Sequence, residues 1–498
     1  MKDAQSLAQE LRRHDLLNDS AIPAVTFTGI SNDSRQVKPG DLFICKGYGF
    51  KPEYLQMAAE RGAVCYMAPQ PIEGSALPCL TVTDVRKAQS LTAQWFYDHP
   101  SASLTLIGIT GTKGKSTTTC MTHEVMNAVA GRRTGLLSGV EHYVGSDAEL
   151  PHLTTPESLD FQRMLSLIRD NGLVIATTEI SSQAYQVSRV YGEHFDFGVF
   201  LNIGPDHISE REHPTMEDYL ACKIALLENS ETAIICRDTA YFDTVYAAAK
   251  AKAKRVLLVG IEQDDCDYIA GDIKRRPTGG YTFTVTERDT GAAYPYSVAM
   301  DGLFNISNAL VAIAIGRRMQ GDPAVIARAL SELKVAGRAD VYEGGGITVL
   351  INYMHNGISC EATLKGIMHD YPGAYITVVQ GIAGHRSPQR LQGIGEACGK
   401  YADRIFFTAD DPGFEDPRDL GNRLAHAAAD GKAEITVEPD RTIAVERAIL
   451  EAPEGSVVVL GGKGPEDTQC VGNEYVYYES DPAITKRMLP VREKANRN

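Results

Sequence analysis

No run of apolar residues in the chain approaches the roughly 18 that a membrane-crossing helix needs, so the sequence predicts neither a transmembrane span nor a membrane partner. The opening segment, Met1 to Leu17, mixes Lys, Asp, Glu and Arg without an apolar centre and does not read as a secretory signal. Positive charge is in deficit. Lys and Arg number 49 against 64 Asp and Glu, and the net charge of −15 argues against nucleic acid as the main partner. A small anionic substrate stays compatible, because a local basic pocket can sit inside an acidic protein. The ten cysteines are scattered, with no close pair of the metal-binding kind, and read as reduced thiols of a cytoplasmic protein. Internal repeats and low-complexity tracts are also missing.

What is present is ordinary globular sequence. A hydrophobic content of 43% supports packed domains, and 498 residues are too many for one core, so two or three domains are expected. Leu55 to Arg61 reads as a helix and Ala63 to Met67 as a strand after it, with a boundary near residue 100. Strands at Leu104 to Gly108, Val174 to Thr178, Phe197 to Leu201 and Thr232 to Ile235 alternate with helical stretches, the pattern of an α/β sheet. Asp267 to Met300 alternates Tyr, Thr and Val as antiparallel strands do, and Asn305 to Met319 reads as a helix. From Gly337 a second α/β unit follows, with strands at Ile347 to Asn352, Tyr375 to Val379 and Arg404 to Thr408. The expected limits are 1–100, 101–335 and 336–498.

The strongest chemical signal is Ile107-Gly108-Ile109-Thr110-Gly111-Thr112-Lys113-Gly114-Lys115-Ser116-Thr117. Glycines after a strand let backbone N–H groups face phosphate oxygens, Lys115 supplies positive charge, and Ser116 can coordinate Mg²⁺. The common spacing would put Gly at 109, where this chain has Ile, yet Gly111 and the preceding strand keep the physical logic. Glu179 ends an apolar strand and is a candidate magnesium ligand there. His207 follows a turn, Asn202 to Asp206, and alone would be an ordinary surface histidine.

In order along the chain, these motifs resemble those of the Mur ligases, most closely the branch that adds the third amino acid to UDP-N-acetylmuramoyl-L-alanyl-D-glutamate. The resemblance covers nearly the whole chain: Ser31 to Arg35, Thr110 to Ser116, Thr154-Thr155-Pro156, Glu179 to Ser182, Asn202 to His207, Asn305 to Asn308, Gly337-Arg338 and Tyr353-Met354-His355. It implies three domains: an N-terminal UDP-substrate domain, a central phosphate-loop ATPase domain and a C-terminal Rossmann-like domain for ATP and the amino acid. It implies that Ser34, Asp33 and Arg35 meet the uridine nucleotide, and that Thr154, Thr155, Ser181 and Arg189 meet the muramoyl peptide or its phosphates. Gly111 to Thr117, Asn305, Asn308, Arg338, Asn352 and His355 would surround ATP. Ser116, Glu179, His207 and a carbamylated Lys223 would hold magnesium; without the resemblance, Lys223 is a solvated helix lysine. Catalysis would fall to Lys115, Lys223 and Arg338, in a protein able to work as a monomer.

The reaction implied is phosphorylation of the dipeptide's carboxylate by ATP, then attack of the incoming amine on the acyl phosphate. The family's Asp-Asn-Pro-Arg run, associated with meso-diaminopimelate, is here Asp410-Asp411-Pro412-Gly413, with no arginine to pair an extra carboxylate. Together with His152 to Ser158 and Tyr353 to Asn356, which resemble the lysine-adding branch, this favours L-lysine. Gly464 and Glu466, in a Gly-Lys-Gly run resembling the diaminopimelate pocket, keep ornithine and diaminopimelate open. Arg386 and Arg390 are candidates for substrate carboxylates. The chain departs from the family at Lys113 (usually Asn), Gln183 (His), Asn352 (Asp) and Met354 (Ala). Those departures leave room for a Mur-like ligase of another acyl donor, or a nucleotide-binding regulatory protein.

Overall fold

The fold is that of a computed structural model describing the chain apart from residues 1, 19–20, 48, 147–150, 152, 210–211, 278, 336–337, 387 and 497–498, and apart from the side chains at 338 and 339. The expected α/β class is what forms. Near the N-terminus, Gly29–Ser31, Asp41–Ile44, Cys65–Ala68 and Cys79–Thr81 make a four-stranded parallel sheet. Its core is packed by helices Ala4–Arg12 and Val85–Phe96.

A ten-stranded sheet occupies the middle of the chain, in the order Ala292–Val298, Tyr281–Glu287, Tyr268–Arg275, Arg255–Ile261, Ser230–Cys236, Phe195–Phe200, Thr105–Thr110, Ile175–Glu179, Gly135–Leu137 and His142–Tyr143. The expected antiparallel strands are there, paired across Tyr268–Val298. Thr105–Thr110 lies at the centre, flanked in parallel by Ile175–Glu179 and Phe195–Phe200. Its register pairs Glu179 with Ile109 and Phe200 with Thr110, so three loops leave the same carboxyl edge side by side. That edge is where open parallel sheets bind ligands. Helix Phe304–Arg318, rich in Ala and Ile, is apolar almost all round and is buried accordingly against the helix Lys115–Ala130.

The third sheet runs Arg338–Gly344, Ile347–Asn352, Val457–Gly461, Ile376–Gln380, Arg404–Phe407 and Glu434–Val437, antiparallel at the first pair and parallel thereafter. A small hairpin, Thr468–Val471 with Glu474–Tyr477, stands beyond it. Among the described residues no helix is long and apolar enough to cross a membrane. All ten cysteines are free thiols.

Candidate functional site

The phosphate loop takes its shape from glycine. Gly114 caps the helix Lys115–Ala130 at φ 82°, and a Cβ there would lie 2.7 Å from Asn308 Oδ1, so a side chain is excluded both by conformation and by space. No side chain caps this helix, whose N-terminus stands at the end of the loop, a place suited to phosphate. Lys115 Nζ folds back to donate to Gly111 O at 3.0 Å and Thr112 O at 3.3 Å. Asn308 and Asn305 are buried and chained together: Asn308 Nδ2 donates to Asn305 Oδ1 at 3.1 Å, and Asn305 Nδ2 to Asp301 O at 2.7 Å.

Beside the loop opens a cavity of about 570 Å³, walled by Thr112 to Gly114, Thr117, Phe304, Asn305 and Asn308 on one side and by Asn352, Tyr353, Ile358 and Thr363 on the other. Its size and its phosphate-ready end suit a purine nucleotide. Asn352 lines it but is turned into its own sheet unit, with Nδ2 donating to Thr363 Oγ1 and Oδ1 accepting from Tyr353 N, both at 2.9 Å. His355 reaches the phosphate loop, its Nε2 2.8 Å from Lys113 Nζ. The backbone of Arg338 pairs with Asn352, while its side chain, like Gly337 and His152, lies outside the described residues.

Of the four residues assigned to magnesium, Ser116 and Glu179 share a pocket. A Cβ on Gly139 would lie 3.3 Å from Glu179 Oε2, 3.5 Å from Ser116 Oγ and 3.7 Å from Thr154 Oγ1, so three oxygens face the place beside Gly139 where a side chain would begin. Gly139 N donates to Glu179 Oε2 at 2.9 Å. Lys223 is completely enclosed and donates from Nζ to Gly111 O at 2.7 Å. Burial, reinforced by the charge of Lys115, pushes its amine well below the usual lysine range. His207 instead pairs through Nδ1 with Glu212 at 2.9 Å.

The residues assigned to the muramoyl substrate form a second group. Thr155 is spent inside the protein, donating to Glu179 O and accepting from Ser181 N, while Ser181 caps the helix Ser182–Gln186. Arg189 donates to Thr155 O at 3.1 Å and to Glu157 Oε1 at 3.0 Å, and Glu157 also binds Lys46, which follows the N-terminal strand Asp41–Ile44. Ser34 is buried, and Arg35 grips Asp33 with two bonds of 2.9 and 2.8 Å.

At the carboxyl edge of the third sheet, the amino-acid candidates differ from expectation. Asp411 and Glu466 do come together, but they already hold an internal ammonium: buried Lys463 Nζ lies 2.9 Å from Asp411 Oδ1 and 2.5 Å from Glu466 Oε2. Asp410 is buried beside them, and burial pushes its carboxyl up to about 6. Gly464 makes the turn between Lys463 and Glu466 at φ 58°. Arg386 stays exposed, on a loop tied to Asp411 through Gly384 N donating to Asp411 O at 2.8 Å. Arg390, read with it as a carboxylate binder, is instead paired with Asp206 at 2.5 Å.

Family models match two stretches: residues 109–316 match the Mur ligase middle domain, and residues 337–464 match the Mur ligase glutamate ligase domain. The UDP-N-acetylmuramyl-tripeptide synthetase of Lactobacillus acidophilus is 35% identical over 96% of each chain. The chain belongs to the Mur ligase family. Among solved structures, a UDP-N-acetylmuramoyl-L-alanyl-D-glutamate--2,6-diaminopimelate ligase superposes with a TM-score of 0.67 at 22% identity, covering all of both chains. The MurF ligase from Thermotoga maritima in complex with ADP gives 0.62 at 16% identity, over 94% of this chain and 98% of that one.

For a Mur ligase, four features of the site escaped the sequence reading. Asp206 and Lys463 lie inside two of the runs that carry the resemblance, Asn202 to His207 and the Gly-Lys-Gly run, but nothing in either run marks the ion pairs they form, and Gly139 is a single glycine after Ser138. His213 is the fourth: it donates from Nδ1 to Asp218 Oδ2 at 2.6 Å and meets Ser182 Oγ through Nε2 at 2.9 Å, binding the Glu179 loop to the helix Met216–Glu228 that carries Lys223. A histidine just ahead of the helix cap Thr215 is the only signal that could have found it.

Proposed function

We propose that the protein joins L-lysine to UDP-N-acetylmuramoyl-L-alanyl-D-glutamate at the expense of ATP, through an acyl phosphate, in the cytoplasm and as a monomer. Membership of an ATP-dependent ligase family and 35% identity to tripeptide synthetases over nearly the whole chain support the substrate class. The observation that carries the reading is the common edge of the central sheet. There the phosphate loop, Glu179 and the Thr154–Ser181 group adjoin, so a phosphate donor and an acidic acceptor can meet. The limits 1–100, 101–335 and 336–498 serve as the three working units.

Lys115 would carry the charge of the transferring phosphoryl group, and the N-terminal end of its helix would hold the donor phosphates. Ser116, Glu179 and Thr154 offer hard oxygens beside Gly139, a donor set that fits Mg²⁺, with Lys223 as carbamate and His207 as further ligands. The ion, when bound, would neutralise phosphate charge. Arg189 and Lys46, which now share Glu157, suit the anionic groups of the muramoyl substrate, and Ser34 and Arg35 the uridine end. Replacing Gly139 by Ala sets a methyl against the three oxygens. We expect the magnesium concentration for half-maximal activity to rise roughly tenfold, about 1.4 kcal/mol, with KM for the muramoyl dipeptide unchanged. An unchanged magnesium curve would remove Gly139 from the ion's surroundings.

Lysine is favoured by the charge of its pocket. The carboxylates of Asp410, Asp411 and Glu466 face Lys463, and the nearby Arg441 is already paired with Asp481, so the four acids outnumber the two cations and leave negative charge to receive an ammonium. The test is mass-resolved product formation from ATP, magnesium and the muramoyl dipeptide, with L-lysine, L-ornithine and meso-diaminopimelate supplied separately. A lysine adduct formed at least about 30-fold faster than the others, worth about 2 kcal/mol, is expected. A dominant diaminopimelate product would mean that Lys463 serves the extra carboxylate.

A further inference from the structure

Distant parts of the chain meet on one buried carboxylate. The Asp206 side chain is only 1% exposed. Its Oδ1 accepts from Arg390 Nη2 at 2.5 Å and Nε at 3.2 Å, and its Oδ2 accepts from the Asn356 amide and lies 3.6 Å from Lys113 Nζ. Lys113 in turn meets His355 Nε2 at 2.8 Å. Asp206 and Lys113 belong to the central unit; Arg390, Asn356 and His355 belong to the C-terminal one. Burial opposes ionisation of Asp206, but the charges of Lys113, His207 and Arg390 outweigh it and hold the carboxyl well below its usual range.

Each arm of this cluster leads to a different substrate. Lys113 sits inside the phosphate loop, between Thr112 and Gly114. Arg390 lies in the first turn of helix Pro388–Tyr401, directly after the loop that carries Arg386 and whose Gly384 N holds Asp411 O. The two units also touch elsewhere, where Tyr281 bonds to Asp370 and Arg275 spans Asp301 and Asp370. Loss of the Asp206 cluster therefore frees one edge of the interface without separating the units.

We propose that Asp206 is a positioning residue that latches the C-terminal unit onto the phosphate loop, with Arg390 and Lys113 as its arms, so that the amino-acid loops are brought into register with the nucleotide. This inference rests on the ligase reading and deepens it. A buried carboxylate with two cationic partners suits such a latch, because removing one partner leaves the others uncompensated and the closed state loses its advantage. Lys113, a departure from the family's usual Asn, acquires a purpose here: it gives the phosphate loop a charge that reaches across the interface.

The test compares Arg390→Met, Arg390→Lys, Asp206→Asn and the Arg390→Met/Asp206→Asn double variant with the wild-type protein. Arg390→Met is expected to keep ADP affinity within about threefold, to lower kcat at least about 30-fold and to raise KM for the amino acid, with Arg390→Lys restoring part of the loss. The double variant should be no slower than Asp206→Asn alone, since both cut one contact. Small-angle scattering with magnesium and adenylyl imidodiphosphate should give a compact wild-type particle and a more extended Arg390→Met particle. That comparison needs no acyl donor, so it supports the latch even if the wild type makes no amide from the muramoyl dipeptide, a result that would sink the reaction assignment alone. Unchanged kcat in Arg390→Met, independent multiplying losses in the double variant, or equal scattering from both proteins would each overturn the latch. If Asp206→Asn does not fold, as judged by circular dichroism, the two Arg390 variants decide the matter by kcat and scattering.

Discussion

Replacing Lys223 by alanine is expected to lower kcat roughly 10³-fold, about 4 kcal/mol of barrier, while KM for the muramoyl dipeptide moves little. The reason begins with burial. Lys223 is enclosed, its Nζ reaches Gly111 O at the phosphate loop, and burial with the nearby Lys115 charge favours the neutral amine. A cation placed there would repel Lys115 across the loop that has to receive phosphate. A neutral amine, in contrast, can add CO₂, lose a proton and become a carbamate anion, which reverses its electrostatic role at the phosphate loop. The carbamate makes a second demand: wild-type protein prepared in CO₂-free buffer should lose activity and recover it on adding bicarbonate. Intact-mass measurement under native conditions should show one CO₂ on the wild type and none on Lys223→Ala. Full activity of the wild type without bicarbonate would leave Lys223 as a plain hydrogen-bond donor to Gly111.

The parts of this site that the sequence made legible are those whose partners are close in the chain. The phosphate loop, its strand and its helix occupy consecutive residues, so glycine spacing and apolar pattern are enough to predict a strand at Leu104 to Gly108, which forms as Thr105–Thr110, and a helix from Lys115. The same holds for the alternation from Tyr268 to Val298, which forms the antiparallel strands expected of it. Strand ends moved by one or two residues, as at Phe195–Phe200, because the ladder with its neighbours decides where pairing stops. Roles set by long-range contact were not legible. Arg390 and Asp206 are 184 positions apart, and Lys463 and Asp411 are 52 apart, so nothing local in either segment announces the pairing. Asn352 shows the same limit at shorter range: its hydrogen-bonding capacity was visible, but Thr363, one helix away, had already claimed it.

The amino-acid loops rest on a buried ion pair whose removal should be the largest single blow to stability. Arg441 and Asp481 have fully enclosed side chains and meet at 3.0 and 2.7 Å, while Tyr478 donates to Asp481 at 2.7 Å. Arg441 also donates to Gly461 O at 2.8 Å and Ala409 O at 3.4 Å, the residues just ahead of Lys463 and Asp410. Arg441→Met leaves Asp481 buried with Tyr478 as its remaining side-chain donor, which should cost ~3–5 kcal/mol, a large share of the ~5–15 kcal/mol that holds a typical domain. A fall in melting temperature of about 10 °C is expected by calorimetry for a unit of this size. The double variant Arg441→Met/Asp481→Leu removes the stranded charge and should recover much of that loss. It cannot restore the two carbonyl contacts, so its KM for the incoming amino acid should stay raised even where its melting temperature recovers. Stability and amino-acid affinity returning together would show that the pair supports the fold alone and that the Asp410 and Lys463 loops hold their places without it.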